Sequence, residues 1–360
     1  MNKMIDVLII GAGLTGCTLA RRLAEENKKV LIVEKRMHLC GDCYDYRDKS
    51  GILIHKYGPH IFRTDNKKVY DFLSRFTDWV DYQHKVLSYV DGHFYPMPIN
   101  LDTINKFFAT NYNSSDVIEY FNKVKCHVKN IDNVKDVITS QVGNLLYEKF
   151  FKNYTLKQWG RSPEILPKEI VARIPIRSNR DDRYFTQKYQ CLPKDGYTAL
   201  FNNMLNHDNI KVLLNTRFND IKSYIKADRT FYSGSIDEYF EYRYGKLPYR
   251  SVSFKIERFN REWYQPVSVV NYPNNYDYTR ITEYKHFYHE NLPVTVISKE
   301  YSNGSGEPSY PIPTKENLAL YEQYKKEAES ISNVFFVGRL GKYQYYSMDQ
   351  IVEDALNIEI

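Results

Sequence analysis

Three stretches of this 360-residue chain hold side chains whose types and spacing suit chemistry. In "GAGLTG", Gly11, Gly13 and Gly16 follow G-x-G-x-x-G, a spacing that lets the backbone turn tightly, approach a pyrophosphate and pack a helix closely on a strand. Glu34 follows at the distance where a carboxylate accepts hydrogen bonds from an adenosine ribose. In "GPHIFRTD", His60 and Arg63 stand three residues apart beside a Gly-Pro turn, an arrangement open to a catalytic centre, a metal site or a plain loop. In "RSPEILPKEIVARIPIRSNRDDRY", Arg161, Arg173, Arg177, Arg180 and Arg183 alternate with Pro163, Pro167 and Pro175. Such a segment either closes over phosphates as a lid with bidentate donors or is a solvated basic loop. A further motif, "HLCGDC", places His38 before Cys40 and Cys43, but no second Cys/His pair of ligand spacing follows, so loop packing outweighs metal or redox chemistry.

These residues need elements to position them. "IDVLII" is an apolar, β-branched run of strand length, "LTGCTLARRLAEEN" has helical periodicity, and "KKVLIVEK" is a second buried strand ending in an acid. With the glycines at the first turn, this is a βαβ unit that binds a dinucleotide. Near the other end, "NVFFVGRLGKYQYYSMDQIVEDALNI" predicts a strand from Val334 to Val337, a Gly-Arg turn, an aromatic loop and a helix starting at Met348 or Asp349. The positive end of that helix suits a reduced, anionic flavin; it is an ordinary closing helix in any case. Between these ends, 45–100 alternates short strands and turns, 101–172 is mainly helical, and 184–310 returns to strands with aromatic alternation.

The net charge of +6 is mild and its Lys and Arg residues are dispersed, which suits an anionic small molecule better than nucleic acid. The 33 Tyr and 19 Phe offer flat faces for a base or flavin, although most must simply fill the core. Five cysteines, an odd number, without an apolar leader predict a reducing, cytoplasmic setting. No apolar run is long enough to span a bilayer.

Over nearly its whole length the chain resembles the bacterial UDP-galactopyranose mutases. The resemblance is carried by "GAGLTG", "VEKR", "IHKYGPHIF", "YTLKQWGRSP", "RIPIR", "GSIDEYFEYRYGKLPYRS", "YTRITEYKHF", "EPSYPI" and "VGRLGKYQYY". It implies an α/β flavoenzyme: an FAD-binding Rossmann-like domain with an inserted helical domain and an antiparallel β-sheet domain, forming a homodimer. The corresponding division is 1–100, 210–235 and 330–360 for FAD; 101–172 for the helical, uridine-binding domain; and 173–209 with 236–329 for the mobile loop and substrate sheet. The implied reaction interconverts pyranose and furanose forms of a nucleotide-linked galactose, with reduced FAD attacking the anomeric carbon through N5 to give a covalent sugar-flavin adduct. Side chains then position and stabilise the diphosphate, with no obligatory protein nucleophile.

Carried over by motif, Arg177 and Arg280 hold the diphosphate from opposite sides as the catalytic pair. Tyr310 and Tyr345 donate to the same phosphates, and Tyr184 reaches them from the lid. Phe151, Tyr154 and Trp159 receive uridine, and Asn271 contacts uridine or phosphate. Gly11, Gly13, Gly16, Glu34, Lys35, Arg36, Gly41 and Asp42 belong to the FAD site, with Gly338, Arg339 and Met348 along it, Arg250 near the flavin face, and His60 presenting a neutral donor to the ring. Four positions depart from the family's common pattern: Cys40 stands for a glycine, Ser347 for an aspartate, Arg63 for a histidine and His84 for an asparagine. Arg63 and His84 fall at the sugar pocket, so the resemblance leaves open plain galactose, its N-acetylamino form or a deoxy sugar such as dTDP-fucose. A flavin amine oxidase and a non-catalytic flavin or nucleotide-sugar binder are the competing classes. Net redox change separates the first, and failure to take up FAD supports the second.

Overall fold

The computed structural model describes residues 5–171 and 175–359. The first unit is as the sequence predicts: β1 (Ile5–Ile10), α1 (Leu14–Glu25) and β2 (Val30–Val33). β1 pairs in parallel with β2 and with Ala227–Tyr232, and the edges are completed by Ile210–Leu213 and Val334–Phe336. Val7–Ile10 and Val30–Val33 are apolar at successive positions because both faces of a parallel sheet are covered at its centre. Val7, Ile9, Val30 and Ile32 pack against α1, the helix Tyr197–Leu205 and the closing helix Met348–Asn357. Leu8, Ile10, Leu31 and Val33 pack on the other face with Tyr232. Each such side chain, taken out of water, contributes roughly 1.5–3 kcal/mol.

The helical segment runs Leu101–Phe108, Ser114–Val124, Val134–Leu146 and, after a π-helical stretch Tyr147–Lys152, Asn153–Trp159. The first three helices each begin at an asparagine. Asn100, Asn113 and Asn133 accept from the backbone N–H groups of Thr103, Asp116 and Asp136, satisfying donors the helix itself leaves open.

The third layer is a seven-stranded sheet in the order Tyr310–Pro311, Tyr249–Phe259, Thr295–Asn303, Arg280–Glu283, Val269–Asn271, Val86–Val90 and His93–Met97. It is antiparallel except where Val269–Asn271 meets Val86–Val90. Its register fixes a row of polar side chains, because Asn271 lies opposite Arg280 and Arg280 opposite Glu300. A one-residue slip would turn all three to the other face.

These pairings divide the chain differently from the sequence expectation. Val86–Val90 and His93–Met97, assigned to the cofactor domain, extend the substrate sheet. The helix Tyr197–Leu205, assigned to the substrate part, packs on α1. Both segments sit next in sequence to a boundary, where partner strands distant in the chain decide the layer. The late strand ends at Phe336, one residue early, and the expected Gly-Arg turn is the short helix Gly338–Gly341.

Candidate active site

Two cavities meet beside the Gly58–His60 turn. The first runs over the C-terminal ends of β1 and β2 and is lined by Gly11, Gly13, Glu34, Lys35, Arg36, Gly41 and Asp42 at one end and by His60, Gly338, Arg339 and Met348 at the other. Gly11 has φ +102, and a Cβ there would lie 2.1 Å from the Ser233 hydroxyl oxygen. A Cβ on Gly16 would lie 2.0 Å from the Gly11 carbonyl oxygen, so Gly16 serves helix-strand packing and does not itself line the cavity. Gly13 faces Gly41 with the nearest atom 3.9 Å from where its Cβ would be. This is a cradle open to a pyrophosphate at the N-terminus of α1. Buried Glu34 accepts the Ala12 and Arg36 backbone N–H groups, both at 2.8 Å, which orients its carboxylate along the cleft with lone pairs to spare for ribose hydroxyls. Arg36 pairs with Asp42 at 3.0 Å. The residues present fit FAD.

Cys40 adopts φ +76 in this wrap, a conformation a glycine takes more readily, and its N–H is held by the Ala12 carbonyl at 2.9 Å. Its thiol points toward Tyr197 and Thr198, and burial pushes the thiols of Cys40 and Cys43 well up, so both are packed as protonated, unreactive groups.

The second cavity shares His60, Arg339 and Met348 with the first. Around it stand Phe151, Tyr154 and Trp159 from the π-helical stretch and the helix that follows. Asn271, Arg280 and Tyr310 come from the sheet, Tyr184 from the lid side and Tyr345 from the loop before the closing helix. Arg63 and His84 line it as well. The Arg280 Nε lies 3.1 Å from Glu300 Oε1. That carboxylate, with Tyr154, Tyr184 and Tyr310 nearby, outweighs desolvation and raises the Arg280 pKa, keeping a half-buried permanent cation at the centre. Tyr310 is pushed up to about 12 by burial and Tyr154 further still, so both remain neutral donors. Arg339 donates to the Ser309 and Tyr346 carbonyls at 3.2 and 3.1 Å and lies 5.1 Å from the Tyr310 ring centre. Asn271 Oδ1 is buried without a protein partner, an acceptor aimed at whatever fills the site.

Arg63 and His84 both pack on one ring. The Arg63 guanidinium carbon lies 4.1 Å from the Phe185 ring centre, and the His84 ring stacks on the same phenyl at 5.6 Å. Burial, aided by Arg280 and Arg63, lowers the His84 pKa to about 3, so the imidazole is neutral. His60 is also held neutral by burial. Its Nδ1–H donates to the Gly58 carbonyl at 2.8 Å, so Nε2 presents an acceptor, the reverse of the donor expected.

Arg177 and Arg250 also differ from expectation. Arg177 does not line the cavity: its Nη1 donates to the carbonyls of Asp181 and Arg183, closing a turn, while Nη2 is buried without a partner. Arg180 pairs with Asp102 and Arg183 with Asp181, so these arginines of the proline-rich segment are engaged with their own surroundings. Arg173 lies outside the described residues. Arg250 faces the second cavity and not the first, and donates to the carbonyls of Gln158 and Lys157, capping the C-terminus of Asn153–Trp159 where a cation complements the helix dipole. Ser347 caps the closing helix, with its hydroxyl on Gln350 Oε1 at 2.8 Å. Glu300 and Phe185 were missed by sequence reasoning. Only sheet register brings Glu300 to Arg280, and Phe185 reads as one more aromatic in an aromatic-rich chain.

Residues 149–345 match the family described as UDP-galactopyranose mutase, and 9–76 match an NAD(P)-binding Rossmann-like domain. A probable UDP-galactopyranose mutase of Klebsiella pneumoniae is 39% identical, covering 98% of this chain and 93% of that protein. The chain belongs to the UDP-galactopyranose mutase family. It is a flavin-dependent pyranose/furanose mutase, an isomerase, and its cofactor is FAD. The dTDP-fucopyranose mutase of Escherichia coli is 37% identical, covering 99% of this chain and 97% of its own. The fold agrees with a crystal structure of reduced UDP-galactopyranose mutase at a TM-score of 0.79 and 17% identity, covering 98% of this chain and 94% of that one. The amine oxidase reading, which rested on the first βαβ unit, gives way to matches that run the length of the mutase. Among the described residues no helix is long and apolar enough to cross a membrane.

Proposed function

We propose that this mutase acts on a nucleotide-diphosphate sugar of the galactose type, with the base, diphosphate and sugar arranged in that order along the second cavity. The observation that carries the reading is the junction of the two cavities at His60, Arg339 and Met348, which sets the sugar end of one against the cofactor end of the other. When bound and reduced, FAD supplies the electron pair for exchange at the anomeric carbon. The protein's own task is to hold the departing diphosphate and return it to the same carbon. Arg280 supplies the fixed positive charge, pre-set by Glu300 before substrate arrives. Tyr154, Tyr184, Tyr310 and Tyr345 add directional donors without further charge, and Asn271 offers its unpaired oxygen to the base or sugar. Phe151 and Trp159 give the base an apolar wall. Arg177 acts in this reading by holding the turn that presents Tyr184.

The preferred sugar is decided at Arg63 and His84. A charged, planar donor beside a neutral imidazole reaches a substituent such as an N-acetyl group, or fills the space left by a missing hydroxyl, in ways that a histidine and an asparagine do not. Similarity to both a galactopyranose and a fucopyranose mutase supports testing both nucleotides. Dithionite-reduced enzyme incubated with UDP-galactopyranose, UDP-N-acetylgalactosamine and dTDP-fucopyranose, with products separated by HPLC, should yield the furanose from one of them. No conversion of any would end the mutase reading for this substrate class.

The reading extends to a homodimer in a reducing compartment. Ile118, Leu145, Leu156 and Ile165 are exposed on the helical segment and offer apolar surface to a second copy, and the free thiols suit the cytoplasm. Sedimentation of the holoenzyme as a monomer at micromolar concentration would remove the dimer.

A further inference from the structure

The wall of the second cavity contains a fastening that the roles above leave unexplained. Lys157 lies on the helix Asn153–Trp159, whose other residues Tyr154, Gln158 and Trp159 line the cavity. Its ammonium donates to the carbonyl oxygens of Tyr272, of Tyr276 at 3.0 Å and of Tyr278 at 3.0 Å. An ammonium has three donors, so one side chain commits all of them to one loop. That loop joins the strand ending at Asn271 to the strand beginning at Arg280, and its base is closed by the Tyr272 N–H on the Thr279 carbonyl at 2.8 Å. The rings of Tyr272, Tyr276 and Tyr278 pack with centres 5.0 to 5.1 Å apart, so the loop is packed as a unit. From the opposite side, Arg250 holds the Lys157 carbonyl at 3.1 Å. Burial draws the lysine pKa down to about 8 with Asp277 opposing, while three converging carbonyls favour the ammonium.

We propose that Lys157 is a positioning residue for nucleotide recognition: by tying the helix that receives the base to the loop that ends in Asn271 and Arg280, it sets the spacing between the base and diphosphate subsites. The inference rests on the nucleotide-sugar reading. Base and diphosphate are covalently linked, so two subsites on separate elements act together only if their separation matches the ligand. A displacement of the loop by a fraction of a bond length would leave each subsite intact and spoil the pair. Lys157 lines neither cavity, which is why the motif "YTLKQW" alone does not reveal its role.

The test measures binding of UDP and of dTDP to oxidised holoenzyme by calorimetry for wild type, Lys157→Met and Lys157→Arg. Wild type that binds neither nucleotide refutes the nucleotide-sugar reading itself, separately from the role of Lys157. Methionine keeps the straight stem and helix propensity but removes the donors. Arginine keeps the charge, yet its planar fork cannot serve three carbonyls converging on a point. Both variants should weaken the nucleotide that wild type binds by about tenfold or more, while kcat at saturating sugar nucleotide stays within about threefold of wild type, the split expected of lost binding geometry. A purely structural lysine would lower the melting temperature and leave the Kd of the folded enzyme alone. An unchanged Kd in either folded variant overturns the inference, and the arginine variant keeps the test open if the methionine one does not fold.

Discussion

His84→Asn should flatten the acid dependence of folding stability, and the size of the effect follows from where the imidazole sits. His84 is 4% exposed, stacked on Phe185 and flanked by Arg63 and Arg280, and burial lowers its pKa from 6.5 to about 3. Its folded pKa lies below its unfolded one. The stability it contributes is therefore fully present above pH 6.5 and is lost as pH falls toward 3, because the unfolded chain takes up a proton that the folded chain refuses. At pH 5 the unfolded imidazole is almost wholly protonated and the folded one still neutral, which costs the fold about 2 kcal/mol relative to neutral pH. His55 has the same depressed value and is present in both proteins, so its contribution cancels in the difference. Urea unfolding of wild type and His84→Asn at pH 7 and pH 5, followed by tryptophan fluorescence, gives four free energies. Their double difference should be about 2 kcal/mol, with wild type losing more. Parallel pH dependence in the two proteins would mean that His84 is hydrated or charged in the fold, and the electrostatic account of this pocket would fall.

Arg177→Ala should raise KM for the nucleotide sugar, through loss of the turn closed on Asp181 and Arg183, and leave the flavin spectrum intact; a fall in kcat with KM unmoved, measured by steady-state kinetics, would instead return Arg177 to direct transition-state contact. Arg63→His should shift the ratio of kcat/KM between galactose and N-acetylgalactosamine nucleotides by about tenfold or more, and an unmoved ratio would make Arg63 a structural partner of Phe185 only. Gly16→Ala drives a Cβ to 2.0 Å from the Gly11 carbonyl oxygen, so the purified protein should lack yellow colour or fail to fold; a variant with full flavin content by absorbance would contradict the tight α1–β1 packing.

The glycines, Glu34 and the apolar strands around them were legible because a βαβ turn is local: strand, turn and helix are consecutive, and each glycine answers a steric demand within a few residues. The aromatic and basic motifs of the second cavity were legible as motifs, and the structure gathers Phe151, Tyr154, Trp159, Arg280, Tyr310 and Tyr345 around one space. The place of Arg177 was not legible, because an arginine in a proline-rich basic stretch reads the same whether it faces a ligand or closes its own turn, as it does here on Asp181 and Arg183. His60 was read with the wrong hydrogen-bonding sense, since the tautomer depends on the Gly58 carbonyl that a positive-φ turn brings to Nδ1.

The sequence by itself determined the cofactor unit and the family, because both depend on short runs of residues whose order is their meaning. Tertiary structure alone decided that Asn271, Arg280 and Glu300 stand in a row, that Lys157 spends its charge on the loop between two of them, and that Arg63 and His84 share one phenyl ring. Those relations join strands, helices and loops far apart in the chain. They are set by sheet register and by burial, which shift charges and fix donors only once the layers have packed.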